Sequence, residues 1–106
     1  VVATGLGVVG PFGVGVEALA ARLRRGAAAP VEVDRSAGYH APGGARTALL
    51  ASGLDLAALV PPGAARRMSP PARFAVAATR LALAEAGLAH ATHERTGIVV
   101  GTAFGP

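Results

Sequence analysis

A chain of 106 residues, 52% of them hydrophobic, suits one domain or a portion of one. With no cysteine it can form neither a disulfide nor a cysteine-based zinc site, and it offers no thiolate nucleophile. Ten arginines and no lysine against six acids give a net charge of +4, but the arginines are dispersed and only four aromatic residues accompany them. That excludes the clustered, aromatic-interleaved basic face of a nucleic-acid binder and suits an acidic protein partner better.

Val1 to Thr4 reads as a short buried strand, and Gly5 to Gly15 as a glycine-rich loop in which Pro11 forbids regular pairing. Val16, Leu19, Ala20 and Leu23 follow the i, i+3, i+4, i+7 spacing of one apolar helical face. Glu17 in the first turn, arginines in the last and Gly26 just beyond match the helix dipole and a glycine stop. From Ala27 to Ala65 the signals thin out. Val31 to Val33 is a possible three-residue strand, and Leu54 to Val60 a possible short helix ended by Pro61 and Pro62.

A second helix is expected from Pro71 to Ala86, with Pro70 marking the boundary before it. Phe74, Ala78 and Leu81 line one side, and Ala75, Ala82 and Ala86 the next. Alanine nearly all round implies burial on several sides and a close neighbour. Gly87 and Leu88 read as its C-cap, and Gly97 to Val100 as a second buried strand running into glycines. The order β, α, irregular, α, β indicates an α/β layered fold. Because alanine buries little area, such a core is thin, which favours a fragment or an obligate partner over a self-sufficient domain. No apolar run reaches the ~20 residues of a membrane span. The N-terminus lacks the basic region of a signal peptide, so a cytoplasmic protein is expected.

Candidate chemistry is sparse. Gly5-Leu6-Gly7-Val8-Val9-Gly10 has the form of a dinucleotide fingerprint, with Asp34 within reach of its acidic position. In that motif, however, a helix opens at the glycines, and Pro11, Gly13 and Gly15 delay it here. His40, His90 and His93 fall in polar stretches with no third ligand, so no metal site is expected. Ser36, Ser52 and Ser69 lack a nucleophile-elbow context, and Glu32 with Asp34 is as readily a surface pair as a catalytic one. No nucleophile, base and orienting group come together, so no catalytic residue is expected within this chain.

Read together, several phrases resemble the N-terminal part of the β-ketoacyl-acyl carrier protein synthases, the condensing enzymes of fatty acid and polyketide assembly. They are Val1-Val2-Ala3-Thr4-Gly5-Leu6-Gly7-Val8-Val9 with Pro11 and Gly13; Asp34-Arg35-Ser36-Ala37-Gly38-Tyr39; Arg66-Arg67-Met68 with Arg73-Phe74; Leu83-Ala84-Glu85-Ala86-Gly87-Leu88; and Gly97-Ile98-Val99-Val100-Gly101-Thr102. Their order and spacing hold across essentially the whole chain. The resemblance implies a thiolase-like fold layered α-β-α-β-α, of which residues 1–106 are the N-terminal, truncated portion.

It further implies a homodimer or ketosynthase heterodimer, an acyl carrier protein as partner, and no cofactor. The family's catalytic cysteine and two histidines have no counterpart here, so the isolated chain is expected to be inactive. Arg66 and Arg67 resemble the basic patch that docks the carrier protein, a solvated helix-leading pair being the other reading. Phe104 matches a position lining the far end of the acyl pocket, where a ring would favour short or medium chains; plain core packing is the other reading. Gly10 replaces a frequent serine, Ser69 stands where an aspartate is usual, and a common helical tryptophan is missing. These departures leave open an elongation synthase, a polyketide ketosynthase, a chain-length-determining partner without the nucleophile, or a remnant association module.

Overall fold

A computed structural model describes residues 1–26, 30–34, 46–90 and 94–102. The chain divides into two units, residues 9–54 and a second made of residues 1–8 with 55–106.

In the first unit, β1 (Val9–Gly10) and β2 (Gly13–Val14) form an antiparallel hairpin, Val9 opposite Val14 and Gly10 opposite Gly13. Pro11 therefore does not forbid pairing, as the sequence suggested. It occupies the first position of the two-residue turn, where its fixed φ is an advantage and its missing N–H costs nothing. The Phe12 ring folds back over Gly10, so a Cβ at Gly10 would meet it at 2.6 Å. Helix α1 (Val16–Arg24) follows directly, with Glu17 in its first turn and Arg22 and Arg24 in its last. Gly26 takes φ +90° just past Arg25, and its N–H donates to Leu23 O at 3.2 Å, the glycine stop expected.

Strand β3 (Val31–Glu32) pairs antiparallel with β4 (Thr47–Ala48), Val31 opposite Ala48 and Glu32 opposite Thr47. Val33 N–H adds a bond to Arg46 O at 2.8 Å. The short strand read from Val31 to Val33 is thus present, and its partner is a segment in which the sequence showed no strand pattern.

The second unit resumes at Asp55, and Leu54 to Val60 is a hydrogen-bonded turn rather than a helix. Asp55 Oδ1 accepts from Ala57 N–H at 3.0 Å, and Leu56 O accepts from Val60 N–H at 2.7 Å. Local side-chain capture of the backbone by aspartate competes with helix propagation. Proline then opens a helix instead of ending one. The single turn α2 (Pro62–Ala65) has Pro62 in its first position, where no N–H is needed.

Helix α3 (Pro70–Glu85) carries the unit. It starts one residue earlier than expected because both prolines fit its first turn, and Ser69 Oγ accepts from Ala72 N–H at 3.4 Å as the N-cap. Its end is a complete Schellman arrangement. Gly87 sits at φ +72° and donates to Ala84 O at 3.1 Å, while Leu88 N–H donates to Leu83 O at 2.8 Å.

The face of α3 that meets residues 1–8 is Ala78, Ala82 and Ala86, spaced i, i+4, i+8, and so draws on both of the sides read from the sequence. A Cβ at Gly5 would strike Ala82 O, and one at Gly7 would strike Ala78 O. Leu6 N–H, between them, donates to the Glu85 carboxylate. The glycines and alanines are therefore complementary: bare backbone lies directly on a small-residue helix face. Val60 and Ala77, at 2% and 0% exposure, are the buried hydrophobic residues among those described.

Val1 to Thr4 and Gly97 to Val100 depart from expectation. Neither is in a strand ladder, and Val1, Val2, Ile98, Val99 and Val100 are all exposed. An extended segment counts as a buried strand only with a neighbour bonding its backbone and a layer over each face. No described residue provides either.

Candidate functional site

The arginine-rich approach to α3 is the part of the expected site that the structure describes best. Arg66, Arg67, Arg73 and Arg80, between the end of α2 and the middle of α3, divide into two kinds. Arg73 turns inward, its Nε donating to Met68 O at 3.1 Å, and Arg80 Nη1 donates to Leu59 O at 2.7 Å, tying the 56–60 turn to α3. Arg66 and Arg67 are exposed at the end of α2, and among the described residues only their backbone N–H groups are engaged, with Pro62 O and Ala64 O. Two rigid neighbours, a proline-opened turn before and a serine-capped helix after, hold this adjacent pair outward. Such a pair presents positive charge to solvent without giving up hydrogen bonds of the fold.

Phe104, the expected pocket residue, lies outside the described residues, as do His40, His93 and Ser36. His90 is exposed just after α3, and Ser52 is exposed. Ser69 is occupied as the helix cap, a role the sequence reading missed although a serine directly before Pro-Pro is its signature. Among the described residues no group of three or more histidines, acids or cysteines is placed to hold a metal ion.

The dinucleotide reading fails on the geometry of its glycines. The first two, Gly5 and Gly7, are spent on contact with the middle and end of α3, where the clashing atoms are helix carbonyls. A pyrophosphate needs backbone N–H groups at a helix N-terminus. Helix α1 begins only at Val16, after the hairpin, behind Gly15 as its N-cap.

The second unit also holds a shallow groove of about 420 Å³ that the sequence did not reveal. Ala82, Leu83, Ala86 and Leu88 form one wall, and Gly97, Ile98 and Val99 another. It is lined mainly by aliphatic groups and offers no cluster of ionisable residues.

Comparison with known families matches this chain over residues 1–105 to the family described as beta-ketoacyl synthase, N-terminal domain. The match spans nearly every residue, and the chain belongs to that family of condensing enzymes, whose fold is thiolase-like. Neither characterised proteins nor solved structures give a match. Among the described residues no helix is long and apolar enough to cross a membrane.

Proposed function

We propose that residues 1–106 form the N-terminal part of a 3-oxoacyl-acyl carrier protein synthase acting in the cytoplasm on fatty acid or polyketide intermediates. In the reaction, a cysteine thiolate outside this segment attacks an acyl thioester and releases the carrier thiol. A malonyl thioester then loses carbon dioxide, and the resulting carbanion attacks the acyl-enzyme carbonyl. The new carbon–carbon bond forms as the thiolate leaves. This chain contributes no reacting group, having no cysteine.

The single observation that carries the reading is the family match along residues 1–105. The exposed apolar stretches at 1–2 and 98–100 are in keeping with it, since in a layered α-β-α-β-α fold they would be strands under cover. Within that fold, Arg66 and Arg67 would receive an acidic carrier protein, and Phe104 would close the far end of the acyl pocket near a dimer partner. Charges at the rim of an interface mainly steer encounter and orientation.

The test is to express the reading frame continued past Pro106 and incubate the product with acyl and malonyl carrier proteins. The expected result is an acyl adduct on a downstream cysteine by mass spectrometry and a β-ketoacyl product, with neither formed by the 106-residue chain. A frame that closes without a cysteine, or an intact frame that takes no acyl group, would replace the enzyme with a chain-length-determining or association module.

A further inference from the structure

The residues around α1 include a guanidinium the fold does not satisfy. Arg22 Nε is shielded from solvent and has no hydrogen-bond partner. A buried N–H donor without an acceptor is unfavourable, and more so on a charged group, so native structures seldom leave one. The carbonyls at the end of α1 do not supply it, since Arg25 and Gly26 N–H groups bond to Ala21, Arg22 and Leu23 O.

Two hollows flank this side chain. One, of about 270 Å³, is lined by Ala18, Ala21 and Arg22 of α1 and by Arg25 at its C-cap, spaced i, i+3, i+4, i+7, together with Pro11 and Phe12 of the hairpin turn. The other, of about 450 Å³, shares Pro11, Phe12 and Arg22 and adds Leu19, Leu23 and Leu49. Leu23 and Leu49 are more than half exposed. A basic hollow and an aliphatic hollow therefore lie side by side, with Arg22 at their seam and a rigid Pro-Phe turn beneath both.

We propose that this face of α1 is a protein-docking surface that takes a segment pairing a carboxylate with a neighbouring aliphatic side chain. The carboxylate would enter the basic hollow and draw the Arg22 guanidinium outward, so that its shielded Nε gains the acceptor it lacks, with Arg25 as the second cation. The aliphatic group would fill the hollow beside Leu19, Leu23 and Leu49. The occupant is fixed by charge complementarity: Arg22, Arg24 and Arg25 stand together on the last turn and its cap, with Arg24 and Arg25 exposed. Arginine beside an aromatic ring, as Arg22 lies beside Phe12, is also a pairing that protein interfaces enrich. The surface is distinct from Arg66 and Arg67 and does not depend on the condensing reaction.

The experiment titrates the 106-residue chain with acetyl-Leu-Glu-Leu-amide, its Gln twin, sodium acetate and inorganic phosphate, following side-chain Nε–H signals by NMR. The Arg22 signal is assigned by its loss in Arg22→Lys. The expected result is a shift of that signal with the Glu peptide, binding at least ten-fold tighter than the Gln peptide or acetate. Arg25→Gln should weaken binding several-fold, and the Arg66→Gln/Arg67→Gln double variant should not change it. Circular dichroism of each variant checks that α1 and α3 remain. Equal binding of Glu and Gln peptides would overturn the proposal, as would acetate or phosphate matching the peptide, an unmoved Arg22 signal, or a loss on changing Arg66 and Arg67 alone.

Discussion

Gly5 and Gly7 show why a residue with no side chain can be the most constrained in a segment. Each faces a carbonyl of α3, so an added methyl must push two backbones apart. Gly7→Ala should cost about 1–3 kcal/mol, the usual penalty for overpacking, read as a lower urea midpoint by circular dichroism. Gly97→Ala is the matched control, because nothing lies within 4 Å of its would-be Cβ, and its midpoint should stay within about 0.5 kcal/mol of the parent. The residue-level proposals for function are tested in the complete enzyme. Arg66→Glu with Arg67→Glu should raise KM for the carrier protein about ten-fold with kcat little changed, and the effect should shrink at high salt. Phe104→Gly should lengthen the acyl chains accepted; an unchanged product profile would leave that ring as ordinary packing.

At the level of the element, α3 was legible because its signals are local. Ser69, two prolines, an alanine run and Gly87-Leu88 each act within a turn of their neighbours, and the helix lies within one residue of its expected bounds. Ser69→Ala should remove about 1 kcal/mol of stability, while Ser69→Asp should retain the cap and add a favourable dipole interaction. Gly87→Ala should cost about 1–2 kcal/mol through its left-handed backbone alone. The misreadings share a cause. Pro11 and Pro62 read as breakers in the sequence, yet each occupies a position that needs no N–H donor. Proline's effect depends on whether a bond is required at that residue, and that is a property of the partner. The same holds for Thr47–Ala48, a strand only because Val31–Glu32 lies beside it. Likewise the unpaired Arg22 Nε is invisible in a sequence, where an arginine near a helix C-terminus reads as a simple complement to the dipole.

Across the whole molecule the decisive quantity is area. Among the described residues the buried hydrophobics are only Val60 and Ala77, while Val1, Val2, Leu6, Leu23 and Leu49 stand about half exposed or more. The thin core anticipated from an alanine-rich composition is what the structure contains, and Ile98, Val99 and Val100 are left uncovered. The isolated chain should therefore unfold in urea with an m-value below about 1 kcal/mol/M, the low end for small proteins. It should also bind a hydrophobic dye, and Val99→Lys should reduce that binding without altering helix content. A steep cooperative transition with no dye binding would show that these stretches are covered in solution. The reading of Val1 to Thr4 and Gly97 to Val100 as strands rested on apolar runs ending in glycine, which report a tendency to be covered and say nothing of what does the covering.

The punctuation at the two ends of α3 has a consequence for how the chain comes into being. Its start sign and stop sign lie within twenty residues, Ser69 to Leu88, and neither refers to anything translated later. A nascent chain leaving the ribosome thus already specifies a rod about 24 Å long at 1.5 Å per residue. Whatever eventually settles over its alanine side meets a ruler cut to length beforehand and must fit that measure.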